Sequence, residues 1–243
     1  MIDDSKRVDN LKDSENRLKT LLLTLNESDL LNTGGIKNLF SRFPFIRDSG
    51  IETLIVHVDI LPAKSRTEKD SLVHFLGKSI RSAFQAHGDS GMNCCVFGEA
   101  EDGMNCGVFG EAEDGMNFVS FGKVEGDIDF KPLPAGSFSI IFSLGSGGRD
   151  ELKNILSAFI EDCRAGKTQP ADMTPDYISS HLALPFAPDL IVSSSKNELA
   201  DFMIWQTVYS EYYFMDKEIL RWTDSDFKKA FNSFHNRERR YGV

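Results

Sequence analysis

The sequence has no long hydrophobic run. A membrane-spanning helix needs about 18 to 20 consecutive apolar residues, and the nearest approach is the triplet Leu21-Leu22-Leu23, which Thr24 interrupts. Residues 1–7 do not form the basic region and following apolar stretch that are typical of a signal peptide. We therefore expect a cytoplasmic protein without a membrane-spanning helix.

Cysteine and positive charge are also scarce. The four cysteines, Cys94, Cys95, Cys106 and Cys163, form no C-x-x-C pair, so we expect neither a zinc site nor a redox site. Lys and Arg number 27 against 37 Asp and Glu, which gives a formal net charge of −10. This balance argues against a nucleic-acid-binding surface spread over the molecule. The hydrophobic fraction of 41% excludes wholesale disorder.

A 12-residue repeat is the most visible feature that is present. Residues 103–114 repeat residues 91–102 with a single substitution, and residues 115–126 are a decayed third copy. The recurring glycines and carboxylates would suit a ligand loop, but the D-x-D-x-D-G spacing of a calcium site is absent. We favour a surface insertion at 91–126, because the entropy cost of such insertions grows only slowly with length.

Outside the repeat, segments with strand and helix patterns alternate. Short apolar or β-branched runs predict strands at 21–25, 53–60, 117–121, 138–144 and 189–192. Apolar residues spaced by three and four predict helices at 36–46, 72–84, 152–160, 197–211 and 224–238. This alternation predicts a single α/β domain over residues 21–243, preceded by a polar segment at 1–20. We expect a mostly parallel central sheet flanked by helices.

Ligands of such sheets bind at the carboxyl ends of the strands. The predicted strands run there into polar segments at 26–29, 59–62, 145–151 and 193–196. The glycine-rich segment 145–151 would offer backbone N–H groups to a phosphate, but it lacks the G-x-G-x-x-G and G-x-x-x-x-G-K-[ST] spacings. We interpret it as a tight strand-to-helix turn. The five scattered histidines are interpreted as surface or packing residues.

Three C-terminal segments carry a family resemblance. They are Pro188-Asp-Leu, the aromatic-rich Phe-Met-Ile-Trp-Gln-Thr-Val-Tyr-Ser-Glu-Tyr-Tyr-Phe at 202–214, and Arg-Glu-Arg-Arg-Tyr-Gly at 237–242. Together with Gly-Gly-Arg-Asp-Glu at 147–151, they resemble the cis-prenyltransferases, that is, undecaprenyl diphosphate synthase and its relatives. The resemblance covers about 100 residues from Gly145 onward. It implies an α/β fold with a hydrophobic tunnel, a dimer, and condensation of isopentenyl diphosphate onto an allylic diphosphate with magnesium.

The chain departs from this family at two places. Active members end their first strand with Asp-Gly-Asn, whose Asp serves the diphosphates and magnesium, whereas residues 24–27 read Thr-Leu-Asn-Glu. The family's diphosphate-binding R-T-S-G-E is replaced by Ser-Ser-Ser-Lys-Asn at 193–197, and both family arginines are missing. A charge-assisted bond is worth roughly 1.5–3 kcal/mol, so we expect weak diphosphate binding here. A first-strand diphosphate site would have to use Asn26, Glu27, Ser193 and Ser195.

Two other family features are retained. Glu211 matches the family's magnesium-linked Glu, and a carboxylate among so many aromatic residues must be exposed, paired or coordinating. Arg240-Tyr241-Gly242 matches the R-x-G that reaches across the dimer interface toward the partner's diphosphate site. The basic tail that contains R-x-G also includes Arg237. The resemblance thus places substrate binding in trans at Arg237, Arg240 and Gly242, and a magnesium ion at Glu211.

This combination resembles the non-catalytic, Nogo-B receptor-type subunit of heteromeric cis-prenyltransferases. The resemblance implies an accessory chain that pairs with a catalytic subunit, shares its magnesium and contacts membranes only peripherally, through the lipid product. A diverged homomeric prenyltransferase or terpene synthase acting on allylic diphosphates is the alternative. A lipid-binding protein without chemistry is a third hypothesis.

Overall fold

A parallel β-sheet forms the centre of the protein in the computed structural model. The described residues contribute seven strands in the order β4-β3-β5-β2-β1-β6-β7, and every neighbouring pair is parallel. The strands are β1 Thr20–Asn26, β2 Thr53–Asp59, β3 Met92–Gly98, β4 Asn117–Phe121, β5 Phe138–Leu144, β6 Leu190–Ser193 and β7 Glu211–Phe214. The structure describes residues 17–32, 34–60, 64–88, 92–98, 117–121, 138–184, 186–194 and 199–237.

Helices lie between the strands, as the predicted α/β class requires. They are α1 Glu27–Leu31, α2 Gly35–Phe40, α3 Phe43–Asp48, α4 Arg66–His87, α5 Gly148–Arg164, α6 Pro175–Ser180 and α7 Asp224–His235. Short 3-10 turns occur at Pro170–Asp172, Gln206–Tyr209 and Ile219–Arg221. Within the described ranges, no helix is both long enough and apolar enough to cross a membrane. The predicted fold class is confirmed.

The central strands are mostly apolar because both faces of the sheet are covered. Side chains alternate between the faces, so Leu21, Leu23 and Leu25 of β1 join the larger core, which α2, α3, α4 and α7 also line. Leu22 joins a smaller core on the opposite face, which Leu184, Phe202 and Met203 help to form. The two faces are therefore packed very unequally.

Aromatic rings pack in the larger core. The Phe40 and Phe43 ring centroids lie 4.7 Å apart, and those of Phe40 and Phe142 lie 6.0 Å apart. Phe43 and Phe142 are almost completely buried. These side chains join α2 and α3 to the centre of β5. The hydrophobic tunnel implied by the family resemblance stays a prediction.

Most of the predicted elements are confirmed, but the helix at 197–211 is wrong. Among its described residues, the chain makes only the turn Gln206–Tyr209 before Glu211 enters β7. β7 pairs in parallel with β6, and the sequence analysis did not predict this strand. The predicted helix at 36–46 is two helices, and Pro44 lies at the start of the second one, where it needs no N–H partner.

The interpretation of the repeat as a surface insertion is wrong for its first copy. That copy supplies β3, which lies inside the sheet between β4 and β5, and Met92–Val96 are buried. The third copy supplies β4, and equivalent positions of the two copies pair in register, Asn93 with Asn117 and Phe97 with Phe121. Residues 99–116 lie outside the described residues. The limits given to the N-terminal segment and the domain stay predictions.

Candidate functional site

Three of the predicted site residues meet at the carboxyl edge of the sheet. Asn26 ends β1 directly opposite Asp59, the last residue of β2, and Glu27 follows as the first residue of α1. On the other side of β1, Ser193 ends β6 opposite Thr24. The sequence therefore located this edge correctly. Ser195, the fourth residue of the predicted diphosphate site, lies outside the described residues.

Asp29 ties the ends of β1 and β6 together. Its Oδ2 accepts a hydrogen bond from the Asn26 backbone N–H at 2.9 Å and another from the Ser194 hydroxyl at 2.7 Å. Both bonds orient the carboxylate toward the protein, in the manner of a capping residue. Asp29 is buried. This carboxylate therefore organises the edge and directs its charge inward.

Glu27 is the most enclosed carboxylate of the edge. Its side chain is only 7% exposed, and it forms an ion pair with the Lys64 ammonium group, which precedes α4. An ion pair with so little water around it is strongly attractive, but it also carries a desolvation cost. The sequence did not indicate Lys64 as a partner, because 37 residues separate the two groups.

Asp59 lies in a negative environment. Burial raises the pKa of its carboxyl group, and the nearby Asp201 and Glu27 carboxylates raise this pKa further, while Lys69 opposes them. Arg149 lies near Asp201, but its side chain is 84% exposed. The described part of the edge thus holds four carboxylates, of which Glu27 is paired with Lys64 and Asp29 points inward, while Asp59 and Asp201 repel each other. A diphosphate, which carries two to three negative charges, would meet like charge here.

The glycine-rich turn before α5 binds Asp201. The Gly148 N–H donates to the Asp201 carbonyl oxygen at 2.7 Å, and the Arg149 N–H donates to the Asp201 carboxylate at 3.2 Å. Gly145 has φ +67°, and a Cβ on Gly148 would lie 3.2 Å from Ile204. The turn therefore needs its glycines for backbone geometry and close approach. This supports its interpretation as a tight turn.

The sequence analysis missed a row of buried polar side chains. This row lies within the sheet, just before the carboxyl ends of the strands. Thr24, His57 and Ser143 are laterally paired on neighbouring strands, and Ser193 pairs with Thr24 on the other side. The His57 ring stacks on Phe202 with centroids 4.1 Å apart. Burial lowers the pKa of His57 to about 3, so the imidazole is neutral near pH 7.

His57 is a packing residue, as the sequence analysis expected of the histidines. The other four, His74, His87, His181 and His235, are exposed. The polar row itself could have been found from the sequence, because Thr24 and His57 each lie two residues before the end of a strand. Residues in equivalent positions of parallel strands end on the same face.

Glu211 and Arg237 lie away from this edge. Arg237 Nη1 donates to Glu211 Oε2 at 2.6 Å. Glu211 is the first residue of β7, opposite Leu190, which in turn pairs with Leu21. This level of the sheet lies five residues, or about 16 Å, before the end of β1. Arg240 and Gly242 lie outside the described residues.

The predicted residues therefore separate into two groups within one chain. Asn26, Glu27 and Ser193 lie at the carboxyl edge, whereas Glu211 and Arg237 lie at the start of β7. The structure thus separates the predicted magnesium residue from the predicted first-strand diphosphate site.

Glu211 fits magnesium only as part of a larger assembly. No group of three His, Cys, Asp or Glu side chains in the described ranges could hold a metal ion. Magnesium, however, is usually held by one or two carboxylates together with substrate phosphates and water. Glu211 is 25% exposed at its side chain, so it could act as such a carboxylate. It would hold the metal only together with a diphosphate.

Cys94 and Cys95 of β3 are unsuited to a reactive site. Burial raises the pKa of the Cys95 thiol to about 12 and the pKa of Cys94 well above its usual range. Such thiols stay protonated and are poor nucleophiles and metal ligands. Cys106 lies outside the described residues.

Sequence comparison finds known sequences that are similar to the C-terminal part of the chain. Residues 134–242 match the family model Prenyltransf, described as "Putative undecaprenyl diphosphate synthase". The isoprenyl transferase of Streptococcus agalactiae serotype V is 35% identical over 111 residues, which are 42% of this chain and 43% of the relative. The isoprenyl transferase of Deinococcus radiodurans is 38% identical over 107 residues, 41% of this chain and 39% of the relative.

An archaeal relative matches to a similar extent. The tritrans,polycis-undecaprenyl-diphosphate synthase (geranylgeranyl-diphosphate specific) of Methanocaldococcus jannaschii is 34% identical over 110 residues, which are 43% of this chain and 39% of the relative. In sequence, the chain therefore matches about two fifths of the length of these curated relatives.

Structural comparison extends the similarity to nearly the whole chain. A probable undecaprenyl diphosphate synthase from Campylobacter jejuni superposes with a TM-score of 0.65 at 18% identity, and lavandulyl diphosphate synthase from Lavandula x intermedia, in complex with dimethylallyl diphosphate, does so with 0.64 at 17%. Both superpositions cover 93% of this chain and 99% of the other chain. The protein thus has the fold of these synthases, and its residues 134–242 are similar in sequence to the undecaprenyl diphosphate synthase family.

Proposed function

We propose that the chain is an accessory, non-catalytic subunit of a heteromeric cis-prenyltransferase. The assembled enzyme would make a long-chain polyprenyl diphosphate from isopentenyl diphosphate and an allylic diphosphate. A catalytic partner would supply the missing Asp and the missing arginines. This chain would contribute Glu211 and the C-terminal residues Arg237, Arg240 and Gly242 to the partner's site.

The negative charge of the carboxyl edge is the main observation in support of this proposal. Glu27 already binds Lys64, and the ionised Asp59 is opposed by the nearby Asp201 and Glu27 carboxylates. The N–H groups of Gly148 and Arg149 already donate to Asp201. A diphosphate would have to displace these internal contacts and gains no arginine at 193–197 in return. Tight binding of isopentenyl diphosphate to this edge is therefore unfavourable.

The position of Arg237 supports a role in trans. Arg237 is bound at the start of β7, and only three residues of chain, about 10 Å when extended, separate it from Arg240. The carboxyl edge of the same chain lies at the other end of the strands from Arg237. We propose that Arg240 and Gly242 act on a neighbouring subunit and not on this edge.

Exposed apolar side chains offer a surface for that subunit. Leu156 and Ile160 lie one turn apart on α5 and are 44% and 50% exposed, and Val208 and Tyr209 are also exposed. Large apolar side chains that cluster on a surface often mark a protein interface. We propose a heterodimer with the catalytic subunit, with a homodimer as the alternative assembly.

The proposal also includes a shared magnesium ion, a cytoplasmic location and a peripheral contact with the membrane. Magnesium would be shared with the partner, because Glu211 offers a single carboxylate. The proposed enzyme would act in the cytoplasm and touch the membrane peripherally, through its lipid product.

Co-expression tests the accessory role. The chain is purified alone and together with a motif-complete cis-prenyltransferase from the same genome, and elongation of farnesyl diphosphate by isopentenyl diphosphate is measured. We expect activity only with the partner. In the complex, Arg240→Ala should lower the rate about 10- to 100-fold, since it removes a charge-assisted bond. Lys229→Ala, which removes an exposed cation of α7, is the control. Elongation by the isolated chain would refute the accessory role.

The alternative is a diverged homomeric prenyltransferase or terpene synthase. The curated relatives named above are themselves called transferases or synthases, and the carboxyl edge retains Asp59 with a raised pKa. Magnesium-dependent turnover of an allylic diphosphate by the isolated chain would support this reading. Loss of that turnover in Asp59→Asn would place the chemistry at the carboxyl edge, and loss in Glu211→Ala would place it at β7.

A further inference from the structure

The repeat contains a second sequence that fits the position of β3. The first copy supplies β3, which pairs with β5 along its whole length. The second copy, residues 103–114, differs from the first only by Gly107 in place of Cys95, so six of the seven residues of β3 recur at 104–110. The second copy lies outside the described residues. Two segments of this chain therefore carry nearly the same strand sequence.

The side-chain contacts of β3 suit both sequences. Cys94 and Val96 of the first copy are buried in the larger core. The two copies are 12 residues apart, and because this shift is even, equivalent residues of either copy would face the same core. The second copy has the same residues at these two places, Cys106 and Val108. It would therefore bury the same side chains in the same core.

The end of β3 makes the strictest demand on the sequence. A Cβ at Gly98 would lie 2.7 Å from Cγ1 of the buried Val73, whose branched side chain is stiff. The second copy has Gly110 at this place. The third copy also has a glycine there, but it would place Phe118 where the first copy has the buried Cys94, and the larger ring would overpack the core. The second copy therefore fits the position better than the third.

One residue distinguishes the first copy from the second. Cys95 is 7% exposed and belongs to the smaller core on the opposite face of the sheet. A glycine at this place would leave a cavity in that core and would lose more conformational freedom on folding. The Cys95 side chain therefore favours the first copy over the second in this position.

The connection to β4 makes the two arrangements exclusive. With the first copy in the sheet, residues 99–116 connect β3 to the parallel strand β4. With the second copy in the same place, only residues 111–116 would remain, and a parallel crossover needs about a dozen residues or more. β4 would then have to leave the edge of the sheet. The second arrangement would therefore lack one of the seven strands of the first.

We infer that the first and second copies of the repeat compete for one position in the sheet, and that Cys95 decides this competition in favour of the first copy. The inference is independent of the proposed function. It makes β3 and β4, at one edge of the sheet, a two-state element of the fold. Any molecule that binds β4 would favour the first arrangement, because β4 pairs with the sheet only there.

Thiol labelling of the full chain with a maleimide tests the inference, and mass spectrometry locates the modified cysteine. In the wild type we expect Cys94 to react at least about 100-fold more slowly than Cys106, because the first copy fills the position. Gly107→Cys makes the two copies identical and stabilises only the second arrangement, so Cys94 should react about tenfold faster than in the wild type. Ala112→Ser, which changes the second copy outside 104–110, should leave this rate unchanged.

A second variant exchanges the two copies. Cys95→Gly/Gly107→Cys moves the single difference to the other copy without changing the composition. We expect Cys106 to become the slower thiol and Cys94 the faster one, and the amides of β4 to lose their protection from hydrogen exchange. Unfolding alone would instead expose both thiols. Leu184→Ala, which truncates a side chain of the same smaller core, is the control for that effect and should not slow the reaction of Cys106.

Three outcomes overturn the inference. These are equal reactivity of Cys94 and Cys106 in the wild type, an unchanged rate at Cys94 in Gly107→Cys, and a rise of both rates in the exchange variant. If the exchange variant does not fold, Gly107→Cys decides by itself, since it leaves the first copy and its contacts intact.

Discussion

Two carboxylate–cation pairs, Glu27–Lys64 and Glu211–Arg237, use the same chemistry in different surroundings. The Glu27 side chain is 7% exposed and lies among other carboxylates at the end of β1, whereas Glu211 is 25% exposed at the start of β7. A buried pair cannot lose one member cheaply, while a half-exposed pair can. The difference predicts that the Glu27–Lys64 pair contributes more to stability than the Glu211–Arg237 pair.

The largest expected effect tests whether water reaches the buried His57 side chain, which lies just behind the carboxyl edge. The pKa of His57 is lowered to about 3 by burial, so below pH 6.5 the unfolded chain takes up a proton that the folded chain does not. The stability from neutral His57 is complete above pH 6.5 and is lost as the pH falls toward 3, by about 5 kcal/mol over the whole window. About 3 kcal/mol of this loss should occur between pH 7 and pH 4.5.

Urea unfolding at these two pH values measures this loss. His57→Gln should have a pH dependence smaller by that amount, because Gln does not titrate. His74→Gln, which changes an exposed histidine, is the control. Equal pH dependence in the wild type and His57→Gln would mean that water reaches this part of the sheet.

The second effect breaks the buried pair. Lys64→Met leaves the enclosed Glu27 carboxylate without its ammonium partner and should lower the free energy of unfolding by about 3 kcal/mol. The double variant Glu27→Gln/Lys64→Met should recover more than half of the loss, since it no longer buries a charge. Urea unfolding at pH 7 measures both. If Lys64→Met costs no more than Arg237→Met, the distinction between the two pairs is wrong.

The third prediction concerns the more exposed pair, Glu211–Arg237. Arg237→Gln should lower the free energy of unfolding by no more than about 1 kcal/mol, the usual value for a pair in contact with water. The loss should shrink further in high salt, because salt screens exposed charges. Unfolding curves at low and high salt measure it. A loss as large as that of Lys64→Met would contradict the difference between the two pairs.

The smallest expected effect is a gain in stability when one charge is removed from the carboxyl edge. Asp59→Asn removes a charge that the Asp201 and Glu27 carboxylates oppose, and it should raise the thermal midpoint at pH 7 by about 1–2 °C. The raised pKa of Asp59 sets the sign: the gain is present while the wild-type carboxyl is ionised and disappears at lower pH, where that carboxyl is protonated. A lower midpoint at pH 7 would contradict the repulsion.

The core strands were predictable because their signal is local. β1, β2 and β5 read as mostly apolar runs, which is typical of parallel strands covered on both faces, and α4, α5 and α7 show helical spacing. β7 was missed, since its strand form depends on pairing with β6, which lies at a distance in the chain. β3 was taken for part of a surface insertion, because a sequence repeat does not reveal which of its copies forms a strand of the sheet.

The candidate site was predictable in position but not in charge. Asn26, Glu27 and Ser193 were placed at the carboxyl edge correctly, because each follows or ends a recognisable strand. Lys64 and Asp201 were missed as partners, since they approach the edge from distant segments. Arg237 and Glu211 were recognised separately, and nothing in their spacing predicted that they bind each other.

The amino-acid sequence by itself determined the α/β class, the core strands and the polar residues at the carboxyl edge of the sheet. It did so because hydrophobic periodicity and turn residues act over a few neighbouring positions. Only the tertiary structure decided the strand order, the filling of the carboxyl edge by internal charges, and the meeting of Glu211 with Arg237. These depend on contacts between residues far apart in the chain, whose energies are set by burial and by the charges that surround them.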